Sequence, residues 1–403
     1  MNVLIADHFE PQGIDALRAA GCDVTCDPAL EGDALREAVV RTGCRVLIVR
    51  GTPVTASVIE ATDTLGVIVR AGVDAGAIDL SAASRRCVLV AKCPGRDADA
   101  IAELTFALIL GLDRRLVNAV NDLRQGVWNR AAYCRAPGLK GRTLGVVGMG
   151  QVGEAVARRA LAFEMDVVVW SRLLTYERAG ELGVLRCNTP ADVAARCDIL
   201  TIHLTTPLAD CMIDAGVLDR LKPGSYVINT CRADVMDYDA LARAMEARDL
   251  RVGLDVYPDE PPAGEGTFSN ALLTSDRLVY GTPHIGASTE QARDAVSHET
   301  VAIVKEYLRT GRVRNCINLC EETVGRYVLV VRHRNRPGVL AHTLNVVSHA
   351  GANVEEMENV VCDGAEAGCA QIKLDGPLDE TALSAIKSGN EHIIAVSLIS
   401  LGP

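Results

Sequence analysis

Six residues, Gly148-Met-Gly150-Gln-Val-Gly153, narrow the choice of fold sharply. They follow an apolar run, Leu144–Val147, and open a helical run, Glu154–Leu161. In that setting the first glycine makes a tight turn. The second lets the backbone approach a pyrophosphate, and the third lets helix and strand pack closely. The N–H groups at the helix N-terminus then face the phosphates. The motif predicts a dinucleotide-binding α/β fold, with Gly148, Gly150, Gln151, Val152 and Gly153 as cofactor contacts.

The surrounding pattern agrees. NVLIAD, RVLIVR, GVIVRAG and CVLVAK are short β-branched runs with helical stretches between them, up to about residue 95. Residues 99–126 read as one long helix joining two domains. A second series begins at Thr143 with TLGVVGMG, DVVVWS, ILTIHL, SYVINT and VGLDVY. Such alternation predicts parallel sheets, and about six strands are expected in the second. The pattern breaks near 314–326, and a fresh βαββαβ module follows from YVLVVRH. The expected fold class is α/β: two Rossmann-like doubly wound domains and a C-terminal ferredoxin-like domain.

Composition narrows the function. Across 403 residues the formal charge is −11, with no Lys/Arg-rich run and 3% aromatics. That disfavours nucleic acid and anionic membranes as partners, and an anionic substrate then needs a local cluster of cations. The N-terminus lacks a signal-peptide pattern, and no apolar run reaches a membrane span, so a cytoplasmic protein is expected. Fourteen cysteines include no CxxC pair. They read as buried, reduced, small hydrophobes, and no metal site is expected.

The chemistry stands at strand ends, where open α/β sheets bind ligands. After the second strand of the nucleotide series comes Val169-Trp170-Ser171-Arg172, with no carboxylate to hold a ribose 2′-hydroxyl. Ser171 and Arg172 lean the choice towards NADP; the other reading has Ser171 on a ribose hydroxyl and Arg172 solvated, with NAD bound. Arg232, Glu260 and His284 follow later strands. An arginine, a glutamate and a histidine brought together suit oxidation of a 2-hydroxy acid. Arg232 polarises the C2 oxygen and holds the carboxylate, His284 takes the hydroxyl proton, and Glu260 fixes the imidazole.

In the order and spacing of GMGQVG, LKPGSYVINTCRADVMD, GLDVYPDEPP and TPHIGASTEQA, the chain resembles the D-isomer-specific 2-hydroxyacid dehydrogenases over nearly its whole length. The resemblance implies that Arg232, Glu260 and His284 are catalytic and that Asp255 stands beside the nicotinamide amide. Thr205, Thr230, Cys231 and Gly286 are further implied cofactor contacts. It implies a substrate domain built from both ends, 1–97 and 283–315, with a dinucleotide domain inserted at 98–282. The module at 325–403 resembles an ACT domain, in which His333, Asn335 and Asn353 would bind an amino-acid effector such as L-serine.

That module implies the branch of the family that oxidises 3-phosphoglycerate, as homodimers or homotetramers. Implied substrate contacts are Arg50 at a phosphate, Gly72 and Val73 in a carboxylate loop, the added cations Lys92 and Arg96, and Arg130 across a subunit interface. The chain departs from the family pattern at Asp74, Thr52 and Ala233. Those changes keep open a reductase of glyoxylate, hydroxypyruvate or another 2-keto acid. A non-catalytic dinucleotide sensor of the same fold is the rival from another class.

Overall fold

The computed structural model describes residues 1–72, 76–204, 211–261, 266–320 and 325–401. The chain forms two compact units, Met1–Asn318 and Leu319–Pro403. The first contains two parallel sheets. One is built from β1 (Asn2–Ile5), β2 (Asp23–Cys26), β3 (Val46–Val49), β4 (Val67–Arg70) and β5 (Leu89–Lys92). Its order is β2-β1-β3-β4-β5. β3 is buried at every position, which explains its continuous VLIV run in place of an alternating one. The helix Glu290–Thr310 returns to this sheet. Its Val301, Ile303 and Val304 share a core with Val3, Ile5, Val46, Ile48, Val67 and Val69. Both parts of the chain thus close one layer.

The second sheet holds β6 (Thr143–Val147), β7 (Asp166–Trp170), β8 (Leu185–Arg186), β9 (Ile199–Ile202), β10 (Tyr226–Asn229), β11 (Arg251–Leu254) and β12 (Val279–Gly281). Its order, β12-β11-β10-β9-β6-β7-β8, reverses direction between β6 and β9, the switch point where such sheets bind ligand. Among the described residues there are seven strands instead of six. The two-residue β8 and three-residue β12 are too short to show an apolar period. The helix expected at 99–126 is also two helices, Ala98–Arg114 and Leu116–Arg124. Arg115 between them is left-handed at φ 49°, which interrupts the helical hydrogen bonds.

The second unit has β13 (Tyr327–Arg334), β14 (Val354–Val361), β15 (Ala367–Leu374) and β16 (Ile393–Ser400). All neighbours are antiparallel, in the order β14-β15-β13-β16. With helices Val339–His349 and Glu380–Ser388 this is the expected βαββαβ arrangement. Leu329, Val331, Val347, Ala370, Ile372 and Ile386 form its core.

The cysteines correct one expectation. Of the fourteen, only five are buried and six are exposed. Cys87 shows why: it precedes an apolar strand in sequence yet sits in a left-handed turn at φ 51°, outside the core. Among the described residues no helix is long and apolar enough to cross a membrane. No His/Cys/Asp/Glu group among them has the arrangement of a metal site.

Candidate active site

A cleft of about 550 Å³ lies where the carboxyl-end loops of both sheets in Met1–Asn318 meet. From the second sheet it receives the glycine turn. Gly148 has φ 101°, and a Cβ there would stand 2.3 Å from the His203 carbonyl oxygen. At Gly153 a Cβ would lie 2.1 Å from the Gly148 carbonyl oxygen. Both glycines are therefore required by the protein's own packing. Gly150 differs: nothing lies within 4 Å of its Cβ position. It opens the helix Gln151–Ala162 without a side-chain cap, so the first N–H groups of that helix are left for a ligand. Gly150, Gln151 and Val152 line the cleft. This uncapped concavity of backbone fits a pyrophosphate. Gln151 also touches the chain leaving β5, since a Cβ on Gly95 would overlap its side-chain oxygen.

His203 was not singled out from sequence. Its Nε2 is 2.8 Å from Thr201 Oγ1, and burial pushes its pKa down to about 3, so a neutral imidazole lies at the end of β9. Thr230 is buried with its hydroxyl 3.0 Å from that of Thr105. Asn229 holds the next turn: its Nδ2 donates to the Arg232 carbonyl at 2.8 Å and its Oδ1 accepts from the Cys231 N–H at 3.1 Å. Burial pushes the Cys231 thiol up to about 11, so it remains protonated at neutral pH.

The three catalytic candidates come from different elements. His284 Nδ1 is 2.7 Å from Glu260 Oε2, and Glu260 Oε1 accepts the Tyr257 N–H at 2.8 Å. With Nδ1 donating to the glutamate, Nε2 is left as an acceptor for a substrate proton. His284 lies at φ 52°, a left-handed conformation that costs a non-glycine residue about 1–3 kcal/mol. Buried Asp255 over-determines the segment: it accepts from Thr282 Oγ1 at 2.6 Å, the Ile285 N–H at 2.9 Å and the Gly286 N–H at 2.7 Å. Asp255 thus fastens the loop that carries His284, in addition to lining the cleft. Arg232 also lines the cleft and makes a two-pronged contact with Asp234, at 2.9 Å and 2.7 Å. That guanidinium holds the Asp234 carboxyl below its usual range.

From the first sheet come Arg50, Arg70, Gly72 and Lys92. Asp7 carries no motif that singles it out, yet its Oδ2 accepts the N–H groups of Arg50, Gly51 and Thr52 at 2.6, 3.0 and 3.1 Å. It pins the loop that carries Arg50. Arg70 was also missed; its guanidinium lies against Gly72, where a Cβ would be 2.6 Å from Nη1.

Several candidates fall elsewhere. Arg96 is not among the residues lining the cleft; it pairs with the buried carboxylate of Glu299 on the helix Glu290–Thr310. Proximity to Lys92 in sequence was misleading because the chain turns away at Gly95, which has φ 67°. Arg130 opens the short helix Arg130–Tyr133 and is exposed, away from the cleft of its own chain. Ser171 is half-buried and Arg172 exposed just past β7. Val73 and Thr205, like Asp74, lie outside the described residues.

The proposed effector trio is not one cluster within a chain. Asn335 lies beyond the end of β13, where its Nδ2 donates to the Ala365 carbonyl. Asn353 precedes β14, and its N–H donates to Asp375 just past β15. Because Arg334 pairs with Ala367 while Val354 pairs with Leu374, these asparagines mark opposite ends of the sheet. Eight-residue strands put about 25 Å between them. His333 is buried, with Nε2 2.9 Å from Asn359 Oδ1 and Nδ1 2.9 Å from the Arg334 carbonyl.

Comparison with known proteins finds a likeness centred on the second sheet. Residues 106–286 match the family model of the D-isomer specific 2-hydroxyacid dehydrogenase, NAD binding domain. The chain is 33% identical over 322 residues to a D-3-phosphoglycerate dehydrogenase of Methanocaldococcus jannaschii, covering 79% of this chain and 60% of that protein. With the D-3-phosphoglycerate dehydrogenase of Bacillus subtilis it shares 34% over 331 residues, 79% of this chain and 59% of the relative. It therefore spans about three fifths of the length of these curated relatives. The NAD⁺-bound 3-phosphoglycerate dehydrogenase of Entamoeba histolytica has the same fold, with a TM-score of 0.64 at 22% identity over 79% of this chain and 99% of that one.

Proposed function

We propose, from the premise that residues 106–286 are an NAD-binding domain of D-isomer-specific 2-hydroxyacid dehydrogenase type, that the chain oxidises a D-2-hydroxy acid with NAD or NADP, and that the acid is 3-phosphoglycerate. The observation that carries this is His284, held by Glu260 at 2.7 Å, in the same cleft as Arg232 and the open Gly150 turn. The bound nicotinamide would supply a hydride acceptor. The chain's own residues do the rest. The uncapped helix at Gln151 holds the phosphates, and Arg232 draws electron density from the C2 oxygen and steadies the carboxylate. His284 Nε2 removes the hydroxyl proton, and Glu260 stabilises the imidazolium that forms. The cationic Arg50 and Lys92 side chains in an acidic protein favour a substrate with a second negative charge, which supports 3-phosphoglycerate over glyoxylate or hydroxypyruvate.

Ser171 and Arg172 support NADP, and the match to an NAD-binding family supports NAD. The second unit reads as an ACT-like module that senses a small amino acid, with L-serine the first choice. Asn335 of one copy and Asn353 of another would then share the ligand, since one chain holds them apart, and the assembly would be a homodimer or homotetramer. A substrate panel followed at 340 nm with NADH and NADPH tests the catalytic reading. Phosphorylated substrate should turn over far faster than glyoxylate or hydroxypyruvate. Equal rates would favour the keto-acid reductase, and no turnover of any acid the non-catalytic sensor. Calorimetry with L-serine tests the module; no heat on active enzyme leaves it an assembly element.

A further inference from the structure

In the proposed reaction Arg232 receives the carboxylate of the substrate, and a carboxylate of the chain already grips it. Asp234 stands two residues further on. It takes the guanidinium along one edge, with Nε donating to Oδ1 at 2.9 Å and Nη2 to Oδ2 at 2.7 Å. Two parallel bonds of this kind fix the plane of an arginine head group as well as its position.

Asp234 is exposed, and an exposed ion pair on loosely held backbone contributes little. Here the backbone is held on both sides. Upstream, buried Asn229 spans the turn, donating to the Arg232 carbonyl at 2.8 Å and accepting the Cys231 N–H at 3.1 Å. Downstream, Val235 and Met236 are buried in a core shared with Leu200, Ile202 and Val227. The Val235 carbonyl accepts the Ile213 N–H at 3.0 Å, and the Asp237 N–H donates to the Ile213 carbonyl at 3.0 Å. Positions 232 and 234 are therefore set by the fold before their side chains meet. The two residues also face differently. Arg232 lines the cleft, and Asp234 is not among the residues that line it. The carboxylate thus approaches the guanidinium from outside the space left for substrate.

We infer that Asp234 is a positioning residue: it holds the Arg232 guanidinium from behind, so that little side-chain ordering is left to be done when the acid binds. The inference rests on the proposed role of Arg232. It does not depend on which acid is the substrate, because 3-phosphoglycerate, glyoxylate and hydroxypyruvate share the carboxylate. An ordering cost met on binding falls on ground state and transition state alike, so its loss shows in KM and leaves kcat unchanged.

The experiment compares wild type, Asp234→Asn and Asp234→Ala on the full chain. Initial rates give kcat and KM for each acid that turns over. Calorimetry gives the affinity of NADH, and of 3-phosphoglycerate and D-glycerate on protein saturated with NADH. Asp234→Ala should raise KM and weaken both acids by about three- to tenfold. The factor should be the same with and without the phosphate, and kcat and NADH affinity should stay within twofold of wild type. Asp234→Asn should recover most of the loss, since its amide oxygen still accepts from the guanidinium. In an Arg232→Ala background, adding Asp234→Ala should change acid affinity less than twofold, because the residue acts only through that guanidinium.

A KM that falls when the carboxylate is removed would make Asp234 a competitor of the substrate and overturn the inference. A drop in kcat at constant KM, a parallel loss of NADH affinity, or the same loss in the Arg232→Ala background overturns it too. Wild type that reduces glyoxylate but leaves 3-phosphoglycerate unoxidised, with this pattern intact, overturns the proposed substrate and leaves Asp234 as assigned. Wild type that binds acids in this pattern and oxidises or reduces none overturns the proposed reaction alone. Acid affinity that is indifferent to both Arg232→Ala and Asp234→Ala overturns the inference together with the role given to Arg232.

Discussion

The two sheets of Met1–Asn318 are built alike and hold ligands differently. Both are parallel, and both send loops from strand carboxyl ends into one cleft. On the β6–β12 side, the grip is backbone: a turn at Gly148, an open position at Gly150 and a helix N-terminus. On the β1–β5 side it is side chains, with Arg50, Arg70 and Lys92 at the ends of β3, β4 and β5. A backbone cradle suits a ligand portion common to many enzymes. Side chains can be exchanged singly, so that half is where substrate choice is set. His284 stands on the segment that joins the two.

The largest expected effect lies at that junction. His284→Ala should lower kcat by roughly 10²–10⁴-fold, with NADH affinity nearly unchanged; normal turnover would remove His284 from proton transfer. Next, Arg50→Ala should raise KM for 3-phosphoglycerate by about 10–100-fold and leave D-glycerate and NADH little affected. A matching rise for D-glycerate would place Arg50 at the carboxylate and blur the division between carboxylate and phosphate ends. On the backbone side, Ser171→Asp should move cofactor preference towards NAD by about 10-fold or more, since a carboxylate repels a 2′-phosphate. Wild type that already prefers NAD strongly would contradict the reading of Ser171 and Arg172.

The smallest effects separate the glycines. Gly153→Ala pushes a Cβ into the Gly148 carbonyl and should cost about 1–3 kcal/mol of stability, read from denaturant melts. Gly150→Ala has open space around it and should melt like wild type, while weakening NADH several-fold in fluorescence titration. Equal destabilisation by both would mean that Gly150 is also a packing glycine.

Legibility followed the same division. The glycine turn could be read because a backbone requirement leaves a fixed local spacing. The Arg232, Glu260 and His284 candidates could be read from strand-end positions and the family pattern, and all three stand at the cleft or in the dyad that serves it. Asp7 and Arg70 could not be read. Their roles depend on which loops face each other, and Asp7 meets residues more than forty positions away. Arg96 was misplaced for the converse reason: closeness in sequence to Lys92 did not survive the turn at Gly95.

Sequence alone determined the alternation of strand and helix, the dinucleotide turn, the acidic charge that makes a cationic cleft informative, and the βαββαβ order of the last unit. These depend on local periods and on glycine's conformational range, which act over a few residues. Tertiary structure alone decided the break at Arg115, the exposure of Cys87, the tethering of residues 50–52 by Asp7, and the separation of Asn335 from Asn353 to opposite ends of one sheet. Each depends on strand order and register. A parallel sheet brings distant strand ends side by side, and an antiparallel one sends neighbouring loops to opposite edges.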